Sequence, residues 1–89
     1  MSNRLANKIT IIPGATSGIG EATARRFIEE GATVVLAGRS EEKGEALAKE
    51  LGERAGFKRT DIMSEDDIAA LVDFTVEKFG RLDCLFNNA

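Results

Sequence analysis

The segment Gly14-Ala15-Thr16-Ser17-Gly18-Ile19-Gly20 directly follows an apolar, β-branched run and directly opens a helical pattern. Glycines at this spacing let a backbone approach a phosphate, because no Cβ stands between the ligand and the N–H groups at a helix start. In that reading Gly14 makes the sharp turn, Gly18 opens the way to a pyrophosphate, and Gly20 lets the helix lie close on the strand before it. Ser17 adds a hydroxyl near the helix start. The bland alternative is a glycine-rich turn that holds nothing. No Lys-Ser or Lys-Thr follows the glycines, which excludes a P-loop kinase or GTPase.

About twenty residues beyond the glycines, at the end of the next apolar run, an acidic side chain would mark a site for the ribose 2′-hydroxyl of NAD. Gly38 stands there instead, followed by Arg39 and Ser40. Without the carboxylate a 2′-phosphate is not repelled, and a guanidinium offers it a planar fork of donors. NADP is therefore expected over NAD, with an exposed surface arginine as the alternative. Asp61 can accept from an adenine amino group, with Ile62 packing beside the ring, or can simply close an Asx turn. Asn87 and Asn88 either bridge strand ends and reach a ribose or form an ordinary turn. Cys84, inside an apolar run and without a nearby cation, reads as core. Glu41, Glu42, Glu45, Asp66 and Asp67 read as solvated helix starts rather than a catalytic pair.

Composition removes other chemistries. The 89 residues contain no His, Tyr or Trp, so a His general base, a Ser-His-Asp relay, a His-ligated metal and a tyrosine proton donor are all excluded. One Cys gives no intramolecular disulfide and no zinc site, and fits a reducing compartment. Twelve Lys and Arg against fifteen Asp and Glu leave a net charge of −3, the wrong sign for a nucleic-acid or anionic-membrane binder. No apolar stretch is long enough for a membrane span or a leader core. The expectation is one small cytoplasmic domain covering residues 1–89.

The elements that must position these residues alternate in kind. Residues 8–12, 32–37, 55–60 and 82–86 read as strands, the first two nearly all apolar, as strands buried on both faces are. Between them run three helical patterns. Ile19, Ala22, Thr23 and Phe27 mark the first, and Gly31 stops it. Gly44, Leu47, Ala48 and Leu51 mark the second, after an N-cap at Ser40 and before Gly52. Ile68, Leu71, Val72, Thr75 and Phe79 mark the third, from a capping box at Ser64 to Asp67 up to Gly80. The β-α-β-α-β-α-β order predicts a Rossmann-like, doubly wound parallel α/β sheet with strand order 3-2-1-4, part of a larger fold. Ligands of such sheets bind at the carboxyl ends of the strands, where the winding reverses. Pro13 is expected at the last position of its strand, because it cannot donate to a neighbour.

Together these motifs resemble the short-chain dehydrogenase/reductase family. Its T-G-x-x-x-G-I-G motif matches Pro13 to Gly20 at every fixed position but the first, its Asp-Val/Ile pair matches Asp61-Ile62, and its N-N-A-G matches Asn87-Asn88-Ala89 up to the chain end. The resemblance implies pyrophosphate and ribose contacts at Gly14, Ser17, Gly18, Ile19 and Gly20, and a 2′-phosphate reader at Arg39 with Ser40 beside it. It further implies an adenine clasp at Asp61 and Ile62 and a ribose-side contact at Asn88. The family's catalytic Asn, Ser, Tyr and Lys follow N-N-A-G. The resemblance thus implies the cofactor-binding half of an NADP-preferring oxidoreductase, inactive alone, with no catalytic residue in this chain. The alternatives are a stand-alone nucleotide-binding module or an inactive remnant. Leu82, Leu85, Phe86 and Phe74 are expected to lack full cover, so that self-association through an exposed strand edge or sheet face follows.

Overall fold

The computed structural model describes residues 7–14 and 18–85. Its elements run β1 (Ile9–Pro13), α1 (Gly18–Glu29), β2 (Thr33–Gly38), α2 (Glu41–Leu51), β3 (Ala55–Arg59), α3 (Glu65–Phe79) and β4 (Cys84–Leu85). The four strands form one parallel sheet in the order β3-β2-β1-β4. The apolar runs are continuous rather than alternating because both sheet faces are covered. On one face Ile12, Val34, Leu36, Ala55 and Phe57 meet Ala24 of α1 and Leu47 and Ala48 of α2. On the other, Ile11, Val35 and Ala37 meet Leu71 of α3, with Phe74, Phe79 and Leu82 half-buried around them. Ile11, Ile12, Val34, Val35 and Leu36 are fully buried. At about 1.5–3 kcal/mol each, these side chains hold the sheet at the centre of the layers. Of the residues expected to lack full cover, Phe86 and the Leu85 side chain lie outside those described.

Helix α1 presents a different face from the one its pattern suggested. Ile19 is 71% exposed and Ala22 is also exposed, whereas Gly20 and Ala24 are buried and Phe27 and Ile28 pack on the core. Close approach to the sheet selects small residues at the contact, so the helix turns Gly20 and Ala24 inward and leaves the larger Ile19 outside. A similar close contact sits between α2 and β3. A Cβ on Gly44 would lie 2.0 Å from Cε1 of the buried Phe57 ring.

The ends of the helices follow the sequence more closely, with one correction. Ser40 and Ser64 are the N-caps of α2 and α3, accepting from the N–H groups of Lys43 and Asp67. Gly52 (φ 96°) and Gly80 (φ 91°) cap the other ends. The capping box at Ser64 closes on one side only. The Asp67 carboxylate accepts from the Asp61 N–H at 2.8 Å, while the Ser64 N–H donates to the Asp61 carbonyl at 2.9 Å. The return arm therefore ties the loop after β3 to α3.

Strand β4 starts at Cys84 rather than at Leu82, because Asp83 serves the entry to the sheet instead. The Asp83 N–H donates to the Ile9 carbonyl at 2.9 Å, and its carboxylate accepts from the Ile9 N–H at 2.8 Å and from Arg81 Nε at 3.0 Å. Arg81 also donates to the Asn7 carbonyl. The Ile9 N–H holds the Asp83 carboxyl below its ordinary range against the opposing effect of desolvation, with lesser help from the Arg81 guanidinium. Pro13 is the last residue of β1, as expected. Lys8 and Gly14 turn their backbone groups to β2 while Ile9 turns toward β4, so by the alternation of a strand, residue 13 also faces away from β2 and its missing donor costs no bond there.

Candidate nucleotide site at the strand carboxyl ends

Three chain reversals meet where β1, β2 and β3 end. Gly14 leaves β1 with φ 68°, a left-handed conformation that favours glycine, and donates its N–H to the Ala37 carbonyl at 2.8 Å. The Thr60 N–H donates to the Gly38 carbonyl at 2.8 Å, fixing the end of β3 to the end of β2. Ser40 combines two tasks, since it caps α2 and lines the space between these ends. Pro13, Gly14, Ala37, Gly38, Arg39, Ser40, Thr60 and Ile62 surround a cavity of about 330 Å³. That is near the lower end of small-molecule sites, about 300–1,000 Å³, and suits a nucleoside-sized group.

Helix α1 begins at Gly18, four residues after Gly14, and an added Cβ there would find no heavy atom within 4 Å. The start of the helix thus has room beside Gly18, and a helix dipole favours an anion at that end. The acid in the first turn, Glu21, is drawn to Arg25 at 3.0 Å, and Arg25 also pairs with Glu50 of α2. A diphosphate placed at the helix start would therefore meet a carboxylate that is already paired. The donor set fits such a group: backbone N–H groups, a helix start and one guanidinium.

Of the residues singled out in the sequence, Gly14, Arg39, Ser40 and Ile62 line the cavity. Gly18 opens α1, and Gly20 is buried against the sheet. Ile19 is exposed at the helix start. Asp61 closes the Asx turn considered for it and also approaches Arg39, a contact the sequence did not suggest. Its Oδ1 accepts from the Met63 N–H at 2.9 Å in an Asx turn, and the same atom lies 4.0 Å from Arg39 Nη2. Ser17 and Asn88, with Asn87, lie outside the described residues. Thr60 was missed. It lines the cavity and is buried, its hydroxyl donating to the Lys58 carbonyl at 3.0 Å. Its position next to Asp61 was the available signal.

Larger hollows lie elsewhere, between α2, β3 and α3 and at the amino ends of the strands around Asn7, Gly80 and Arg81. Neither gathers turning backbone and a helix start as the carboxyl-end site does. Among the described residues there is no group of acids and thiols suited to a metal ion, and no helix long and apolar enough to cross a membrane.

The short chain dehydrogenase family profile matches residues 8–89. Tropinone reductase-like 1 from Erythroxylum coca is 51% identical over 86 residues, covering 97% of this chain and 32% of that protein. L-fucose dehydrogenase from Oryctolagus cuniculus is 46% identical over 86 residues, covering 97% of this chain and 30% of that one. A solved structure, 3-ketoacyl-(acyl-carrier-protein) reductase from Brucella melitensis complexed with NADH, superimposes with a TM-score of 0.90 at 42% identity, over 94% of this chain and 34% of that chain. The chain thus spans about a third of the length of the relatives it matches. With the family profile matched over all but the first seven residues, the chain belongs to the short chain dehydrogenase family.

Proposed function

We propose that this chain supplies the adenosine and diphosphate half of a nicotinamide dinucleotide site, with NADP preferred over NAD, in an oxidoreductase. When bound, the cofactor supplies a hydride for transfer between its nicotinamide and a carbonyl or alcohol carbon. The observation that carries the reading is the nucleoside-sized cavity lined by the Gly14 turn and by Gly38, Arg39 and Ser40, with α1 opening at an uncrowded Gly18 shortly after that turn. The NADH-bound reductase among the similar structures supports it at the level of a nicotinamide dinucleotide.

In this assignment Gly14, Ser17, Gly18, Ile19 and Gly20 form the phosphate-side wall. Arg39 and Ser40 stand at the ribose carrying the 2′-group. Asp61 and Ile62 flank the adenine, Thr60 closes the cavity floor, and Asn88 serves the ribose on the nicotinamide side. The preference for NADP rests on Arg39, whose 74% exposed side chain is free to reach a 2′-phosphate, and on Gly38, which places no carboxylate there.

Titrating the purified chain with NADPH and NADH tests the reading. With only part of the cofactor contacted, binding near millimolar, tighter for NADPH, is expected, because ordering the ligand still costs several kcal/mol. Absence of binding by either dinucleotide at several millimolar would refute it.

A further inference from the structure

We infer that Asp61 sets cofactor specificity through Arg39: its carboxylate competes with a ligand 2′-phosphate for the guanidinium and holds the preference for phosphorylated ribose below what Arg39 alone would give. The inference rests on the dinucleotide reading above. Arg39 follows β2 and Asp61 follows β3, and these neighbouring strands are held in register by Gly38 paired with Arg59 and by the Thr60 N–H on the Gly38 carbonyl. The separation of the two residues is thereby set by the sheet.

Their charged groups differ in freedom. Asp61 is tied at three points, by its N–H to Asp67, by Oδ1 to the Met63 N–H and by its carbonyl to the Ser64 N–H. Among the described residues Arg39 makes no hydrogen bond of its own and approaches only Asp61, at 4.0 Å. A fixed carboxylate thus attracts an exposed cation that lines the cavity. Carboxylate and phosphate call on the same fork of guanidinium donors. A ligand with a free 2′-hydroxyl does not need that fork, so the competition falls on the phosphorylated ligand alone. Arg39 is largely and Asp61 partly exposed, which keeps the pair weak enough for a ligand to displace.

Asp61→Asn tests this, since the amide oxygen can still accept from Met63 in the Asx turn. The full chain is titrated with adenosine 2′,5′-bisphosphate and with adenosine 5′-monophosphate as wild type, Asp61→Asn, Arg39→Gln and the double variant. Loss of an adenine contact weakens both ligands equally, so the ratio of the two affinities isolates the 2′-phosphate. The ratio is expected to rise about two- to fivefold in Asp61→Asn, the size of one exposed ion pair. It is expected to stay unchanged on adding Asp61→Asn to Arg39→Gln. A ratio that stays level or falls in the single variant overturns the inference. So does an equal rise in the Arg39→Gln background, which would mean that Asp61 repels the phosphate directly. If wild type binds neither adenosine phosphate, the dinucleotide reading itself fails, and that result is recognisable before any variant is made.

Discussion

Replacing Gly18 by Ala separates a glycine kept for a ligand from one kept for the fold. The new Cβ would meet no heavy atom within 4 Å, so it creates no clash inside the chain. Gly18 is also not among the glycines with positive φ, and Ala is compatible with its backbone. Exchanging Gly for Ala in a helix gains up to about 1 kcal/mol, less at a first-turn position. For a domain of this size each kcal/mol moves Tm by about 4–8 °C, so Tm should hold or rise by a few degrees. In the bound state the same methyl would occupy the space through which a phosphate reaches the helix N–H groups. Overfilling a close contact costs about 1–3 kcal/mol, which is a weakening of about 5- to 150-fold in Kd. Thermal melts followed by circular dichroism, paired with titration by NADPH, read both quantities. Unchanged affinity would refute the proposed approach of phosphate at Gly18. A Tm lowered by several degrees would show that the glycine serves internal packing.

The other expectations concern specificity, packing and acid response. Arg39→Asp should reverse the NADPH over NADH preference, measured as the ratio of the two Kd values, and an unchanged ratio would remove Arg39 from the site. Gly44→Ala should lower stability by about 1–3 kcal/mol through overpacking, because its Cβ would fall 2.0 Å from the Phe57 ring. Urea unfolding measures this, and a neutral result would mean that the ring moves aside without loss. Asp83 has a folded pKa below its ordinary value of 3.8, so its contribution to stability is present above that pH and is lost as the pH falls through the lower folded value. Asp83→Asn should therefore lower Tm at neutral pH and flatten the loss of Tm as the pH falls below 3.8, whereas parallel Tm–pH curves would contradict the role given to the Ile9 contact.

The fold was legible wherever burial and helix ends decide structure. The β-branched runs around Ile11 and Val35 read as strands covered on both faces, and Ser40, Ser64, Gly52 and Gly80 marked the helix limits through the chemistry of orphan N–H and C=O groups. The Gly14 turn and its place after a strand were legible for the same reason. What escaped the sequence depends on distances between elements. The phase of α1 follows from how near the helix backbone comes to the sheet, so hydrophobicity favoured Ile19 where proximity chose Gly20 and Ala24. Asp83 fell unremarked inside the run 82–86 read as a strand, because only the register of β4 against β1 brings its carboxylate to the Ile9 N–H. The approach of Arg39 to Asp61 likewise needs the strand order, which places residues from separate crossovers side by side.

The most direct test of the dinucleotide site is a ¹H–¹⁵N NMR titration of the chain with NADPH. The site described here predicts amide shifts concentrated at Gly14, Gly18, Gly38, Arg39, Thr60 and Ile62, around the ends of β1, β2 and β3. Shifts centred instead on Gly52, Gly80 and Arg81, at the opposite ends of the strands, would contradict it.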